Sequence, residues 1–230
     1  MPDAVAVVTG AASGLGAAIA EHLAAHGWAV AGVDLRPSRT ALPLQVDVTD
    51  AAGLAAAVER AEDELGPVTG LVTAAGVYEM VPVGEITDAQ WERVLRINLA
   101  GTVNACAAVV PGMVARGRGS VVTISSDLGV GGSEDDAHYT ASKGAIIGLT
   151  RSLAEEVADA GVWVNSVAPG AADTPLIGPD SPWRAAAFLD TLPLPRLVRP
   201  DEIAAACRLL LESRGTFVGQ VLSPNSGATI

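Results

Sequence analysis

Cysteine is almost absent from this 230-residue chain: Cys106 and Cys207 are the only two, far apart and in no C-x-x-C pair or His/Cys cluster. That spacing excludes a disulfide framework and a zinc ribbon, predicts no metal site, and leaves two buried thiols suited to a reducing cytoplasm. Positive charge is scarce as well. The 14 Lys and Arg against 26 Asp and Glu give a formal net charge of -12, with no basic patch to hold nucleic acid. No apolar run reaches spanning length without Gly, Pro or charge, so neither a transmembrane helix nor a membrane partner is expected. Residue 1 leads almost directly into a strand candidate, which leaves no room for a signal peptide. What the chain does have is 50% hydrophobic residues, 25 glycines and only 17% charged side chains, the composition of a compact globular enzyme rather than of a disordered segment.

Short β-branched runs alternate with Ala-rich stretches of helical length. Strands are predicted at Val5–Thr9, Ala29–Asp34, Leu42–Val46, Gly70–Ala74, Ser120–Ser125, Trp163–Ala168 and Gly219–Leu222. Helices are predicted near Leu15–His26, Ala51–Leu65, Asp88–Arg96, Leu99–Arg116, Tyr139–Ala160 and Pro200–Glu212. The strands are continuously apolar, as in a parallel sheet covered on both faces. The expected fold is therefore α/β: one doubly wound (Rossmann) domain over residues 1–230, with about seven parallel strands and helices on both faces. The segment Leu35–Gln45 carries two prolines and is too short for a full crossover helix.

After the first strand comes Thr9-Gly10-Ala11-Ala12-Ser13-Gly14-Leu15-Gly16. Glycines at 10, 14 and 16 permit a tight turn, close backbone approach to a pyrophosphate and close helix–strand packing, and the next helix aims its N-terminal N–H groups at the anion. Asp34 closes the second strand, where a carboxylate accepts hydrogen bonds from adenosine ribose hydroxyls and repels a 2′-phosphate. Arg36 and Arg39 pull the other way, but Asp34 ends the strand itself, so NAD is expected over NADP. Asp47 and Val48 reach the adenine edge, unless Asp47 serves as a helix cap or turn residue.

Tyr139 and Lys143 lie four residues apart in HYTASKGA and so share one helical face. A tyrosine is a poor base near neutrality, its ordinary pKa being about 10. A lysine charge one turn on favours the phenolate, which suits Tyr139 to take a proton from an alcohol or give one to a ketone.

These blocks, with Asn98 in Arg-Ile-Asn-Leu, Ser125-Ser126 after the fifth strand and Asn165-Ser166-Val167-Ala168-Pro169-Gly170 leading to Thr174, resemble the short-chain dehydrogenases/reductases over almost the whole chain. The resemblance implies Tyr139 as acid/base and Lys143 as its activator and a ligand of the nicotinamide ribose. Ser126, rather than Ser125, would orient the substrate oxygen. Asn98 would hold a water linking Lys143 to solvent, and Thr174 would bind the carboxamide. It also implies a cofactor surface of Gly10, Ser13, Gly14, Leu15, Gly16, Asp34, Asp47, Val48, Ala75, Gly76, Tyr139, Lys143, Pro169, Gly170 and Thr174. Family members usually assemble as tetramers, so a homotetramer is expected, with the small-residue faces of Leu99–Val110 and Ala141–Leu153 packing across it.

The chain departs from the family at Thr73-Ala74-Ala75-Gly76, where members carry Asn-Asn-Ala-Gly, and at its Ser223–Gly227 ending. Ala75-Gly76 followed by Met80, Ser126-Asp127, Asp173-Thr174 and the short segment after Asp34 resemble the 2,3-dihydro-2,3-dihydroxybenzoate dehydrogenases. Such substrates, like dihydro-hydroxyanthranilate, carry a carboxylate, for which Arg184, Arg196 and Arg199 are candidate partners, although surface solvation is the plainer role of each. Glu79 and the run Glu134-Asp135-Asp136 would oppose it if they lined the cleft, although a solvated loop is the plainer reading of that run. The expected function is thus NAD-dependent oxidation of a small cyclic secondary alcohol. The alternatives are a general ketoreductase such as a 3-oxoacyl reductase, or a module that senses NAD without turnover.

Overall fold

The computed structural model describes residues 4–229. Seven strands, β1 (Val5–Thr9), β2 (Ala29–Asp34), β3 (Leu42–Gln45), β4 (Val68–Thr73), β5 (Gly119–Ile124), β6 (Val162–Val167) and β7 (Val221–Leu222), form one parallel sheet in the order β3-β2-β1-β4-β5-β6-β7. The helices are α1 (Gly14–Ala25), α2 (Ala51–Leu65), α3 (Asp88–Val94), α4 (Gly101–Arg116), α5 (Leu128–Gly131), α6 (Ala137–Val157), α7 (Ala186–Leu189) and α8 (Pro200–Glu212).

The period-two alternation of strands divides the apolar side chains between two cores. Val5, Val7, Val33 and Leu71 point to the face covered by Leu54 and Val58 of α2, Val109 and Met113 of α4, and Ala154 of α6. Ala6, Val8, Val30 and Val72 point to the other face, under Ile19 and Leu23 of α1 and Ile203 and Leu210 of α8. Each buried Val, Leu or Ile contributes about 1.5–3 kcal/mol, so these two layers hold the sheet. Between β2 and β3 there is no helix. Ser38 and Thr40 bond each other across 2.9 Å and Thr40 donates to the Leu42 carbonyl, closing the short return.

Three elements differ from expectation. Asp88–Arg96 and Leu99–Arg116 are not two helices: residues 88–116 run on unbroken, with a π-helical stretch over Leu95–Ala100 joining α3 to α4. The widened turn sets Asn98 fully inside the protein, a placement that π segments commonly give to functional side chains. This run is 29 residues long and apolar enough to cross a membrane, but α4 packs on β4, β5 and α2 as a core helix. The last strand shrinks to two residues, because Gly219 sits at φ 67 and leaves the extended region. Finally, Asp136 in the acidic run is fully buried, not solvated.

Candidate active site

β1 and β4 are neighbours whose connections leave in opposite directions, and in such sheets the crevice at the carboxyl ends of these strands is the binding site. Here it is a cavity of about 810 Å³. Every residue predicted to touch the cofactor lines it, from Gly10, Ser13, Gly14, Leu15 and Gly16 through Asp34, Asp47, Val48, Ala75 and Gly76 to Pro169, Gly170 and Thr174. Ser126, Tyr139 and Lys143 line it too; Asn98 stands behind the wall.

The phosphate end is backbone. A Cβ on Gly16 would lie 2.1 Å from the Gly10 carbonyl oxygen, so only glycine lets α1 start this close to β1. Ser13 precedes α1 without capping it by its side chain, which leaves the first-turn N–H groups for an anion. The Asp34 carboxylate accepts from the backbone N–H of Ala12 and of Arg36, both at 3.0 Å, and so pins the loop to the end of β2. Arg36 donates to Ser13 Oγ at 2.8 Å and passes Asp34 at 3.9 Å. Asp47 turns back on the Thr49 N–H, whereas the cap of α2 is Asp50. A dinucleotide laid along this cavity would find fitting groups at each end: a carboxylate for the adenosine ribose, a helix start for the pyrophosphate and, below, a phenol–ammonium pair for the nicotinamide.

At the reacting end Tyr139 and Lys143 project from α6, both more than nine-tenths buried. Lys143 Nζ donates to the Ile124 carbonyl at 2.9 Å and lies 5.6 Å from the Tyr139 ring centre. Burial lowers Lys143 to about 8 and pushes the Tyr139 phenol above its ordinary value, the Ser126 hydroxyl opposing the rise. The expected activation by the lysine charge is therefore outweighed within the protein's own groups: desolvation penalises the phenolate and the ammonium alike. Ser125 is tied to Ser166 at 2.8 Å and to the Val167 carbonyl at 3.2 Å. The Asn98 amide bonds both backbone groups of Val77, at 2.8 and 3.0 Å, and Ser142 at 3.1 Å, so this side chain braces the loop after β4.

The substrate end is walled by Tyr78, Leu128, Leu176, Ile177, Trp183 and Phe188. No sequence motif singles out these side chains. Tyr78 packs edge-on against Tyr139 at 4.9 Å, and its hydroxyl accepts from Trp183 Nε1 at 2.6 Å. The candidate cations for a carboxylate are engaged elsewhere. Arg184 bonds Asp173 and the Thr174 carbonyl, Arg196 pairs with Glu202, and Arg199 with Asp201 and Glu202; none of the three lines the cavity. Glu79, expected near the mouth, pairs with Arg93 and faces His138 at 3.7 Å.

Such a sheet and such a corner define a dinucleotide-dependent oxidoreductase. The profile of the short chain dehydrogenase family matches residues 4–185, and the chain belongs to this family. It is an enzyme acting on CH–OH or C=O groups with a nicotinamide cofactor. It is 40% identical over 241 residues to the cis-4-hydroxycyclohexanecarboxylate dehydrogenase of Sinomonas cyclohexanicum, covering 99% of this chain and 97% of the relative. With the 3-oxoacyl-(acyl-carrier-protein) reductase FabG of Escherichia coli it shares 33% over 97% of this chain and 96% of the other. The ligand-free aldohexose dehydrogenase of Thermoplasma acidophilum superposes with a TM-score of 0.90 at 28% identity, over 98% of this chain and 93% of that one.

Proposed function

We propose that the enzyme oxidises a secondary alcohol on a small ring, using NAD. The observation that carries this reading is the Ser126–Tyr139–Lys143 corner opening onto a chamber walled by the half-buried rings of Tyr78, Trp183 and Phe188. The nicotinamide, when bound, supplies the hydride acceptor. Tyr139 takes the hydroxyl proton at its phenolic oxygen, Ser126 Oγ fixes the substrate oxygen, and Lys143 holds the ribose and offsets the phenolate charge. The aromatic walls shed water and hold the ring flat against the site. The ring-alcohol relative supports this class. A dihydrodiol or hydroxy-cyclohexadiene acid, of the dihydro-dihydroxybenzoate or dihydro-hydroxyanthranilate type, fits it, since oxidation of a ring carbinol yields a cyclic ketone that tautomerises to the aromatic ring. With the three arginines engaged, a carboxylate on such a ring would face the open mouth rather than a buried cation.

The test is NADH formation with a panel of ring alcohols, with and without a carboxylate, against reduction of a 3-oxoacyl thioester. The ring alcohols should give the higher kcat/KM. Faster thioester reduction would instead favour the ketoreductase reading that the FabG relative supports.

We also propose a cytoplasmic homotetramer. Both thiols are buried, as a reducing compartment allows. Ala141, Ala145 and Gly148 are exposed on one side of α6, where small residues admit a close partner helix. Ala145→Arg should turn the tetramer into smaller species on light scattering, because an unpaired charge in a dry contact costs several kcal/mol, about 3–5. A wild-type chain that runs as a monomer would remove the premise.

A further inference from the structure

Asp127 follows Ser126 and lines the same cavity, yet only 4% of it is exposed. Its Oδ1 accepts from the Leu128 N–H at 2.8 Å and from Ser126 Oγ at 3.2 Å. Its own N–H donates to the Pro169 carbonyl at 3.0 Å, which fixes the residue against the cofactor wall. Among the described residues no cation pairs with it. A buried carboxylate without a counter-ion, in hydrogen-bond contact with the serine that meets the substrate, is more than a turn residue.

We infer that Asp127 is a positioning residue for the proton transfer: its carboxylate accepts the hydrogen bond of the Ser126 hydroxyl, so that Ser126, which also accepts from the Leu128 N–H, keeps a lone pair for a substrate hydroxyl, and it sets a negative charge beside the Ser126–Tyr139 corner. The inference rests on the reading of Tyr139 as the acid/base.

A serine whose proton points at Asp127 accepts from an alcohol, has no proton to give a carbonyl, and gives up the hydrogen bond by which it would otherwise favour the Tyr139 phenolate. Asp127 thus selects the alcohol as the bound form and, by the same charge, keeps the Tyr139 proton in place. Four ionisable groups surround Tyr139: Lys143 from its own helix, Asp136 at the head of that helix, Tyr78 from the loop after β4, and Asp127 from the turn between β5 and α5. Of these, Asp127, Asp136 and Tyr78 act against the phenolate, and Lys143, its Nζ 5.6 Å from the ring centre, is the one cation among the four. Burial raises Asp127 itself to about 6, so its charge is present above that pH and lost below it.

The sign follows. Alcohol oxidation needs the phenolate and rises as pH passes the Tyr139 pKa; ketone reduction needs the phenol and falls there. Asp127→Asn keeps an acceptor for Leu128 N–H and removes the charge. Both limbs should move to lower pH, by about one unit. Below about pH 6 the wild-type and variant profiles should run parallel, since the wild-type charge has gone there too.

The chain has only two tyrosines, so in a Tyr78→Phe background the phenolate absorbance reports Tyr139 alone, without any substrate. In that background, with NAD bound, Asp127→Asn should shift the titration in the same direction and by a similar amount. Asp127→Ser, which also caps Leu128, repeats the test if the asparagine variant folds poorly. Unshifted titrations in the charge-removing variants overturn the inference. A shifted titration in a protein that oxidises no alcohol supports it and faults the functional reading instead.

Discussion

The two ends of the cavity are built from different material. The dinucleotide end is main chain: a glycine turn, the start of α1, and two N–H groups fastened to Asp34. The substrate end is side chain: Tyr78 from the loop after β4, Trp183 from a single helical turn and Phe188 from the short helix α7 meet through one hydrogen bond and ring-edge contacts. Between them stand Tyr139 and Lys143 on the regular helix α6. A scaffold of this kind can change what it oxidises by loop substitution while the cofactor end stays as it is.

The sharpest way to test that separation is to remove the one atom that joins the two ends. Tyr139→Phe takes away the phenolic oxygen and keeps the packing against Tyr78, so turnover should fall by about 10²-fold or more. NAD binding, followed by protein fluorescence or calorimetry, should be nearly unchanged. Near-normal NADH formation in this variant would show that another group moves the proton.

The same contrast explains what was legible in the sequence. Main-chain sites, and side chains set by the end of one strand or one face of one helix, demand particular residue types at fixed spacing, so Thr9–Gly16, Asp34 and Tyr139-x-x-x-Lys143 announce themselves, and the strands and helices around them lie within a few residues of expectation. Side-chain walls demand only bulk at the right place in space. Tyr78 and Trp183 are 105 positions apart, and nothing local pairs them before the chain folds. Asn98 stood out, but not the π turn that buries it, because the widened turn shifts the phase of the apolar positions and so reads as a break between two helices. Neither role weighed for Arg184, a carboxylate partner or a solvated side chain, is the one found: its neighbours Asp173 and Thr174 hold it, and only the folded loop brings them together. The acidic run looked uniformly solvated, yet it straddles the N-terminus of α6, where Asp135 turns with φ 60 and Asp136 goes inside.

A smaller effect should sharpen the comparison from the cofactor side alone. Two unit charges about 4 Å apart interact by roughly 4 kcal/mol at an effective dielectric of 20, and solvent reduces this in a half-open site. Asp34 should therefore disfavour a 2′-phosphate, with Arg36 beside it softening the penalty. Asp34→Asn keeps an acceptor for the Ala12 N–H and drops the charge. The ratio of kcat/KM for NAD over NADP should fall by about tenfold, equivalent to about 1.4 kcal/mol, while the ranking of alcohol substrates stays fixed. A wild-type preference for NADP would mean that Arg36, not Asp34, governs this pocket.

The smallest effect lies at the seam, where β4 ends between its partners. Thr73 pairs with Thr9 of β1 and Thr123 of β5, and opens the Thr73–Gly76 departure from the family pattern noted in the sequence. Its neighbours have found partners: Thr9 Oγ1 accepts from the Ala75 N–H at 3.1 Å, and Thr123 Oγ1 bonds Thr150 at 2.7 Å. Thr73 Oγ1 has none, although the residue is only 3% exposed. A buried polar atom left unpaired costs about 1–3 kcal/mol, and valine has the same shape with a methyl in place of the hydroxyl. Thr73→Val should therefore stabilise the protein by about 1 kcal/mol, visible as a rise of about 2–4 °C in Tm for a chain of this size. Kinetic constants should hold, because the cofactor end depends on the backbone of this strand rather than on its side chain. A drop in Tm would show that the hydroxyl is bonded in solution, and that the seam is sealed by a polar contact in place of the missing amides.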